Sequence, residues 1–345
     1  MEVKAGREVQ LQRRPDGALR AGDLRVVEAP VRDPRPGEVL VRNTWTSVDP
    51  GLRLRLRATG PAGYFPAFAL HAPMDGIMAV GEVLESRADG FAPGDVVWHA
   101  AGWREYAVVR AGEPALGGLG TLTRLDTERA APQSYLGPLG GMGLTAWAGL
   151  FVAAALRAGD VVWVSAAAGA VGSLAAQFAK LRGHRVIGSA GSDAKVSYLL
   201  DELGLDAAFN HRSGPVADVL GAVAPDGIDV YFDNVGGDHL EAALGRLRPW
   251  GRVALCGAIS TYEGRGPTAG PGNLFQATAN NLTLAGFRGS SHVERMADMQ
   301  RAVAAWLRDG RLRFRESVVD GLEHAPEALV RVLRGETIGK TLVRL

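Results

Sequence analysis

The chain has 345 residues, and 38 Lys+Arg against 37 Asp+Glu leave a net charge of +1, which gives no basic footprint for nucleic acid. The single cysteine, Cys256, excludes an internal disulfide and a four-cysteine zinc lobe. No apolar run reaches the roughly 18 residues of a membrane helix, and the opening MEVKAGREVQLQRR has no apolar core, so a cytoplasmic protein with no signal peptide or membrane partner is expected.

Residues 8–125 are strand-like, with short apolar runs punctuated by Gly, Pro and Asp. Strands are expected over 38–44, after the turn Pro34-Arg35-Pro36-Gly37, over 76–86, and over 96–100 after Pro93-Gly94-Asp95. This part reads as a β-rich barrel or partly open sheet. From 126 to 305 short buried strands alternate with helical stretches, as in a parallel sheet with crossover helices. The expected strands are 161–164, 185–188, 207–210, 230–233, 252–256 and 282–286, with helices over 171–181, 193–203, 215–223 and 239–247. A further helix over 296–309 leads to a tail of strands, 315–319 and 341–345, around a helix near 326–333. The tail is expected to pack on the first part. The fold class is thus α/β: a doubly wound parallel sheet over 126–309, with a β-rich domain built from 1–125 and 310–345.

Val161-Val162-Trp163-Val164-Ser165 runs into Ala166-Ala167-Ala168-Gly169-Ala170-Val171-Gly172 and then a helix, the context a dinucleotide fingerprint requires. Gly169 would let the backbone approach a pyrophosphate, Gly172 would let the helix lie close to the strand, and the N–H groups of Ala170 and Val171 would face the phosphate. The second strand ends in Ser189-Ala190-Gly191-Ser192-Asp193-Ala194-Lys195, with no carboxylate at its tip for a ribose 2′-OH. Asp193 reads as the cap of the next helix. Ser192 and Lys195 can donate to a 2′-phosphate, Lys195 alternatively being an exposed helix lysine, so NADPH is expected over NADH.

Gly76-Ile77-Met78-Ala79-Val80-Gly81-Glu82-Val83 has the glycine spacing of the G-H-E-x-x-G-x-V motif of zinc alcohol dehydrogenases, but Ile77 and Met78 replace its His and Glu. Neither ligates zinc as imidazole or carboxylate does, and the seven histidines have no ligand spacing, so no metal is expected.

The sequence resembles the zinc-independent medium-chain dehydrogenases/reductases, in particular the prostaglandin reductase, leukotriene B4 12-hydroxydehydrogenase and alkenal double-bond reductase family. The resemblance rests on Ser47-Val48-Asp49-Pro50 and on the blocks 165–199, 231–244 (YFDNVGGDHLEAAL), 251–267 (GRVALCGAISTYEGRGP) and 339–343 (GKTLV). It implies a Rossmann domain with a GroES-like catalytic domain. It also implies roles residue by residue. Gly169–Gly172 hold the pyrophosphate, Lys195 the 2′-phosphate, and Asn234 faces the cofactor. Cys256, Gly257, Ala258, Ile259, Ser260 and Tyr262 line nicotinamide and ribose, with Phe287, Arg288 and Gly289 beneath the ring. Tyr262 is the candidate donor to the substrate carbonyl, or else a structural loop tyrosine.

Four positions depart from the family pattern. His211 stands where the family often has a Tyr at the adenosine phosphate, which would make affinity pH-dependent. Gly140-Gly141-Met142-Gly143 replaces Gly-Met-Pro-Gly, implying a more flexible loop. Gly51 replaces an aromatic residue and removes a pocket wall, and Thr337 displaces an Asn before Gly-Lys-Thr. The expected reaction is NADPH-dependent reduction of a C=C bond conjugated to a carbonyl, in a pocket between the domains. Tyr64, Phe65, Phe68 and Trp103 are candidate walls, or else core. Cys256 reads as a small core residue. The alternatives are a zinc-free quinone reductase, a hydroxylated-lipid dehydrogenase and a non-catalytic NADPH-binding protein. A homodimer paired through the edge strand 282–286 is expected.

Overall fold

A computed structural model describes residues 5–115, 120–264 and 269–345. The end of the 251–267 block, residues 265–267, and the first residues, 1–4, therefore lie outside the described residues. The chain divides into two compact units, Met1–Gly141 with Glu316–Leu345, and Met142–Arg315. Its divisions thus fall at 141/142 and 315/316, some residues beyond those read from composition.

In chain order the strands of the first unit are β1 (Ala5–Leu11), β2 (Leu24–Pro30), β3 (Glu38–Val48), β4 (Ala79–Ser86), β5 (Val96–His99), β6 (Tyr106–Arg110) and β7 (Thr123–Arg124). The second unit carries β8 (Val161–Val164), β9 (Arg185–Ala190), β10 (Ala207–Asn210), β11 (Ile228–Asp233), β12 (Leu247–Leu255) and β13 (Thr283–Gly286). The tail adds β14 (Glu316–Asp320) and β15 (Lys340–Arg344). The helices are α1 (Leu52–Arg55), α2 (Gly141–Ala148), α3 (Ala170–Leu181), α4 (Asp193–Ser197), α5 (Val216–Val223), α6 (Gly237–Arg246), α7 (Phe275–Ala279), α8 (Met296–Arg308) and α9 (Ala325–Leu333).

The first unit holds a seven-stranded sheet ordered β14-β15-β3-β4-β5-β7, with β6 also on β3, beside a β1–β2 ribbon. The tail joins this sheet because β15 pairs antiparallel with β3. β3 is buried along most of its length, Val39 and Val41 fully, and Arg42 is its one exposed residue. A core of Val9, Leu11, Leu56, Ile77, Trp103 and Leu329 fills the unit.

The second unit is a parallel sheet ordered β10-β9-β8-β11-β12-β13, the doubly wound pattern expected. Its central strand, β8, is apolar because helices cover both faces. Three elements differ from expectation. The helix expected over 193–203 narrows to α4 and a wider π-type turn, Tyr198–Glu202. β12 begins at Leu247, because Trp250 takes φ 66° and the pairing with β11 shifts register there, which hides a longer strand from periodicity. The glycine-rich segment 140–146 is helix α2 from Gly141 onward, where more flexibility was expected.

Candidate cofactor and active site

Because all six strands of the second unit run parallel, their carboxyl ends share one edge, where open α/β sheets bind ligands. Ser165 ends β8, and Ala166 follows at φ 47°, a left-handed turn rare outside glycine. The Ala166 carbonyl accepts the Gly169 N–H at 3.0 Å. A Cβ on Gly172 would collide with that carbonyl oxygen and come within 2.9 Å of Ala167 Cα. Gly172 therefore lets α3 close onto the loop as well as the strand. Around Gly169 a Cβ would meet only the Ala166 oxygen, at 3.3 Å, which leaves the outer side of the turn open for a ligand. The first bond of α3 runs from Ser173 N–H to Gly169 O at 2.9 Å. The N–H groups of Ala170, Val171 and Gly172 precede it and have no partner within the helix. Cradle and dipole together suit a pyrophosphate.

At the tips of β9 and β10 the structure gathers basic side chains. Ser192 caps α4, its Oγ accepting the Lys195 N–H at 3.4 Å. Asp193, expected as the cap, instead accepts the Asn210 amide at 2.8 Å. A Cβ on Gly191 would lie 3.1 Å from His211 Nε2 and 3.6 Å from Arg212 Cζ. Burial, with the Arg212 charge second, lowers the Lys195 pKa, and the same two causes, with Lys195 behind them, lower that of His211. Like charges held this close suit a polyanion such as a 2′-phosphate. Arg212 was not singled out from sequence, and its only signal there is its place immediately after His211. His239 was also missed as a site element. It is 4% exposed, stacks on Trp163 at 5.8 Å, meets the His211 ring at 5.0 Å, and its pKa falls to about 4 through burial.

Asn234, expected to face the cofactor, has its amide Nδ2 donating to the Ser165 carbonyl at 2.7 Å. It ties the β11 tip to the β8 tip. Below it Asp233, 1% exposed, accepts the N–H groups of Val235 and Gly236 at 2.9 and 2.8 Å and lies 2.8 Å from Tyr231 Oη. These bonds shape the Val235-Gly236-Gly237 turn, which crosses φ 70° and 51° at its glycines. A Cβ on Gly236 would lie 3.2 Å from Ala258 Cβ, and one on Gly237 3.2 Å from Ser260 Oγ, so this turn and the 256–262 loop are neighbours.

The loop after β12 hangs on the end of β11. Cys256 and Gly257 donate their N–H groups to the Asp233 carbonyl, and Ile259 donates to that of Asn234. Tyr262 Oη accepts the Ala258 N–H at 3.4 Å, a role that does not use the phenol's own hydrogen. Burial raises the Tyr262 pKa, so the phenol is protonated at neutral pH. Burial pushes the Cys256 thiol up to about 12, which removes it as a nucleophile. Beyond β13, the Phe287 ring meets Phe232 at 6.1 Å, Gly289 packs so tightly on Thr145 that a Cβ would collide with its hydroxyl, and Arg288 between them is exposed.

Family comparisons decide the identity of this edge. The family model described as "N-terminal domain of oxidoreductase" matches residues 7–115, and that described as "Zinc-binding dehydrogenase" matches 170–306. The 2-alkenal reductase (NADP(+)-dependent) of Nicotiana tabacum is 35% identical over 99% of this chain and 98% of its own. Prostaglandin reductase 1 of Rattus norvegicus is 34% identical over 93% of each. The crystal structure of CurA in complex with NADPH from Vibrio vulnificus superposes with a TM-score of 0.89, at 32% identity over 98% of both chains. The chain belongs to the medium-chain dehydrogenase/reductase family, in its prostaglandin and alkenal reductase group.

Among the first-unit candidates, the structure places Trp103 and Phe68 in the core, the alternative the sequence left open. Trp103, a candidate pocket wall, is 1% exposed in the core, with its indole N–H donating to the Ser47 carbonyl at 2.9 Å. Phe68 is core as well, beneath the Arg55 guanidinium at 3.8 Å. Tyr64 is half-buried, edge-on to Phe65 at 4.8 Å. A Cβ on Gly51 would stand 2.9 Å from Tyr64 Oη, so Tyr64 fills the space that the missing aromatic at 51 was expected to vacate. Thr337 is half-buried in the turn before β15. Ile77 and Met78, at the positions of the zinc motif, are buried core. No cluster of His, Cys, Asp and Glu among the described residues is placed to hold a metal. Nor is any helix among them long and apolar enough to cross a membrane.

Proposed function

We propose that this reductase reduces a C=C bond conjugated to an aldehyde or ketone carbonyl. The relatives named for alkenal and prostaglandin reduction support that reaction class, and the Tyr262 phenol on the loop after β12, its oxygen 3.4 Å from the Ala258 nitrogen, is the observation that carries it. The cofactor is NADPH, which when bound supplies the hydride. The Ala170, Val171 and Gly172 N–H groups orient its pyrophosphate at the Gly169 turn. Ser192, Lys195 and His211 meet its 2′-phosphate. The backbone from Cys256 to Ser260, the Asn234 turn and Phe287-Arg288-Gly289 form the wall for its nicotinamide half.

Hydride addition at the β-carbon moves the C=C electron pair toward the carbonyl oxygen, and the α-carbon then takes a proton from water or Tyr262. The residue this demands is a donor aimed at the oxygen as charge develops. Tyr262 is that donor: its oxygen accepts the Ala258 N–H, and as a neutral phenol it carries an O–H able to donate. Loss of one such donor costs about 3 kcal/mol, or ~10²-fold in kcat. Tyr262→Phe should lower kcat by that factor at nearly constant KM. Unchanged turnover would remove Tyr262 from the chemistry.

A homodimer is the proposed assembly. β13 is an edge strand, and Trp250, Leu274 and Phe275 beside its start are 66%, 53% and 76% exposed. Trp250→Glu with Phe275→Glu should yield a monomer in sedimentation, and an unchanged sedimentation coefficient would refute this surface.

A further inference from the structure

Side chains from three elements meet around Gly191, where β9 ends. His211 Nε2 and Arg212 Cζ are the atoms a Cβ there would touch, so glycine leaves room for both. Lys195 reaches the same place from α4, near enough for its charge to act on His211. Behind His211 stands His239 from α6, edge-on at 5.0 Å, buried, its Nε2 without a hydrogen-bond partner among the described residues. The groups facing His211 are thus two cations, Lys195 and Arg212, and one imidazole, His239. The carboxylate of α4, Asp193, is engaged by Asn210 at 2.8 Å. In the absence of ligand, burial, then the Arg212 and Lys195 charges, lowers the His211 pKa, while burial, then His211, lowers that of His239 to about 4, so both imidazoles are neutral at pH 7. A neutral imidazole donates one hydrogen bond, whereas an imidazolium donates two and adds a charge.

Resting on the NADPH reading above, we propose that His211 is a proton-linked ligand of the ribose 2′-phosphate. With Lys195 and Arg212 it receives the phosphate, and its ring takes up a proton as the phosphate binds. The preference for the phosphorylated nucleotide then strengthens as the pH falls. The physical reason is reciprocity. A dianion placed beside His211 offsets the two cations that disfavour its charged form, and whatever raises proton affinity on binding raises ligand affinity on protonation. Lys195 and Arg212 add their own attraction for the dianion.

The test uses the full chain and calorimetry, with adenosine 2′,5′-bisphosphate and 5′-AMP as probes in two buffers of different ionisation enthalpy. For the bisphosphate the wild type should take up about half a proton or more beyond what His211→Gln takes up. The 2′-phosphate's own titration is common to both proteins and cancels in that difference. Between pH 8.5 and 6.5 the wild-type affinity for the bisphosphate, relative to His211→Gln, should rise by about tenfold. The variant Arg212→Gln should lose about tenfold in bisphosphate affinity and keep the proton uptake. Equal uptake in wild type and His211→Gln, with tight bisphosphate binding, would overturn the proton linkage and leave the NADPH reading standing. Bisphosphate binding no tighter than 5′-AMP at any pH would overturn both.

Discussion

Lys340 Nζ donates to Asp49 Oδ1 at 2.8 Å and to the Val48 carbonyl at 2.9 Å, joining two segments 291 residues apart. β15 brings them together by lying antiparallel to β3, with Thr341 opposite Val48. Ser47 Oγ completes the arrangement by donating to Asp49 Oδ2 at 2.5 Å. Ser47-Val48-Asp49-Pro50 and Gly339-Lys340-Thr341 carried the resemblance at opposite ends of the sequence. In the structure they are partners in one sheet, and Lys340 is 1% exposed.

That burial makes the pair costly to break from one side. Lys340→Met should destabilise the protein by about 3 kcal/mol, because Asp49 loses its countercharge in a poorly hydrated place. Urea unfolding measures the loss. The double variant with Asp49→Asn should recover part of it, and a strictly additive double variant would show that the two charges are independent.

Gly172 is limited by contact, not by backbone torsion. Gly172→Ala places a methyl against the Ala166 carbonyl and Ala167 Cα, backbone atoms with nowhere to move without opening the phosphate turn. The expected cost is about 1–3 kcal/mol in stability, with NADPH affinity falling by at least tenfold. Fluorescence titration with the reduced cofactor checks the second part, and wild-type affinity would show that the turn tolerates the shift.

Glu38 supplies a pH dependence of stability. Its carboxylate takes two bonds from Arg32 at 2.6 and 3.0 Å and the Arg35 N–H at 2.9 Å. The bonds to Arg32, then that from Arg35, hold its pKa at about 2, below the ordinary 4.5. A depressed folded-state pKa stabilises fully above the unfolded value, and the stability drains as pH falls from about 4.5 toward 2. Thermal melting of Glu38→Gln against wild type should show a Tm gap at pH 7 that shrinks by pH 3. A gap independent of pH would contradict this assignment.

Much of this was legible in the sequence, for definite physical reasons. β8 and the Gly169–Gly172 turn are local: an apolar run, a glycine contact and an amphipathic helix follow one another between 161 and 181. What escaped was non-local. Trp103 looks like a pocket aromatic until the Ser47 carbonyl is found on its N–H. The gap at Gly51 is filled by Tyr64, thirteen positions on, which no reading of position 51 reveals. Asp193 has the composition of a cap, but Ser192 one residue earlier takes that role and frees Asp193 for Asn210. His239 joins His211 only because α6 begins beside the end of β10.

The most direct measurement follows the near-ultraviolet absorbance of the reduced cofactor with a short panel of enals, enones and quinones, and identifies the product with NADPH deuterated at the transferred position. The account predicts NADPH oxidation well in excess of NADH oxidation, with a saturated carbonyl product carrying deuterium at the β-carbon. An allylic alcohol product, turnover confined to quinones, or no oxidation despite tight NADPH binding would contradict it.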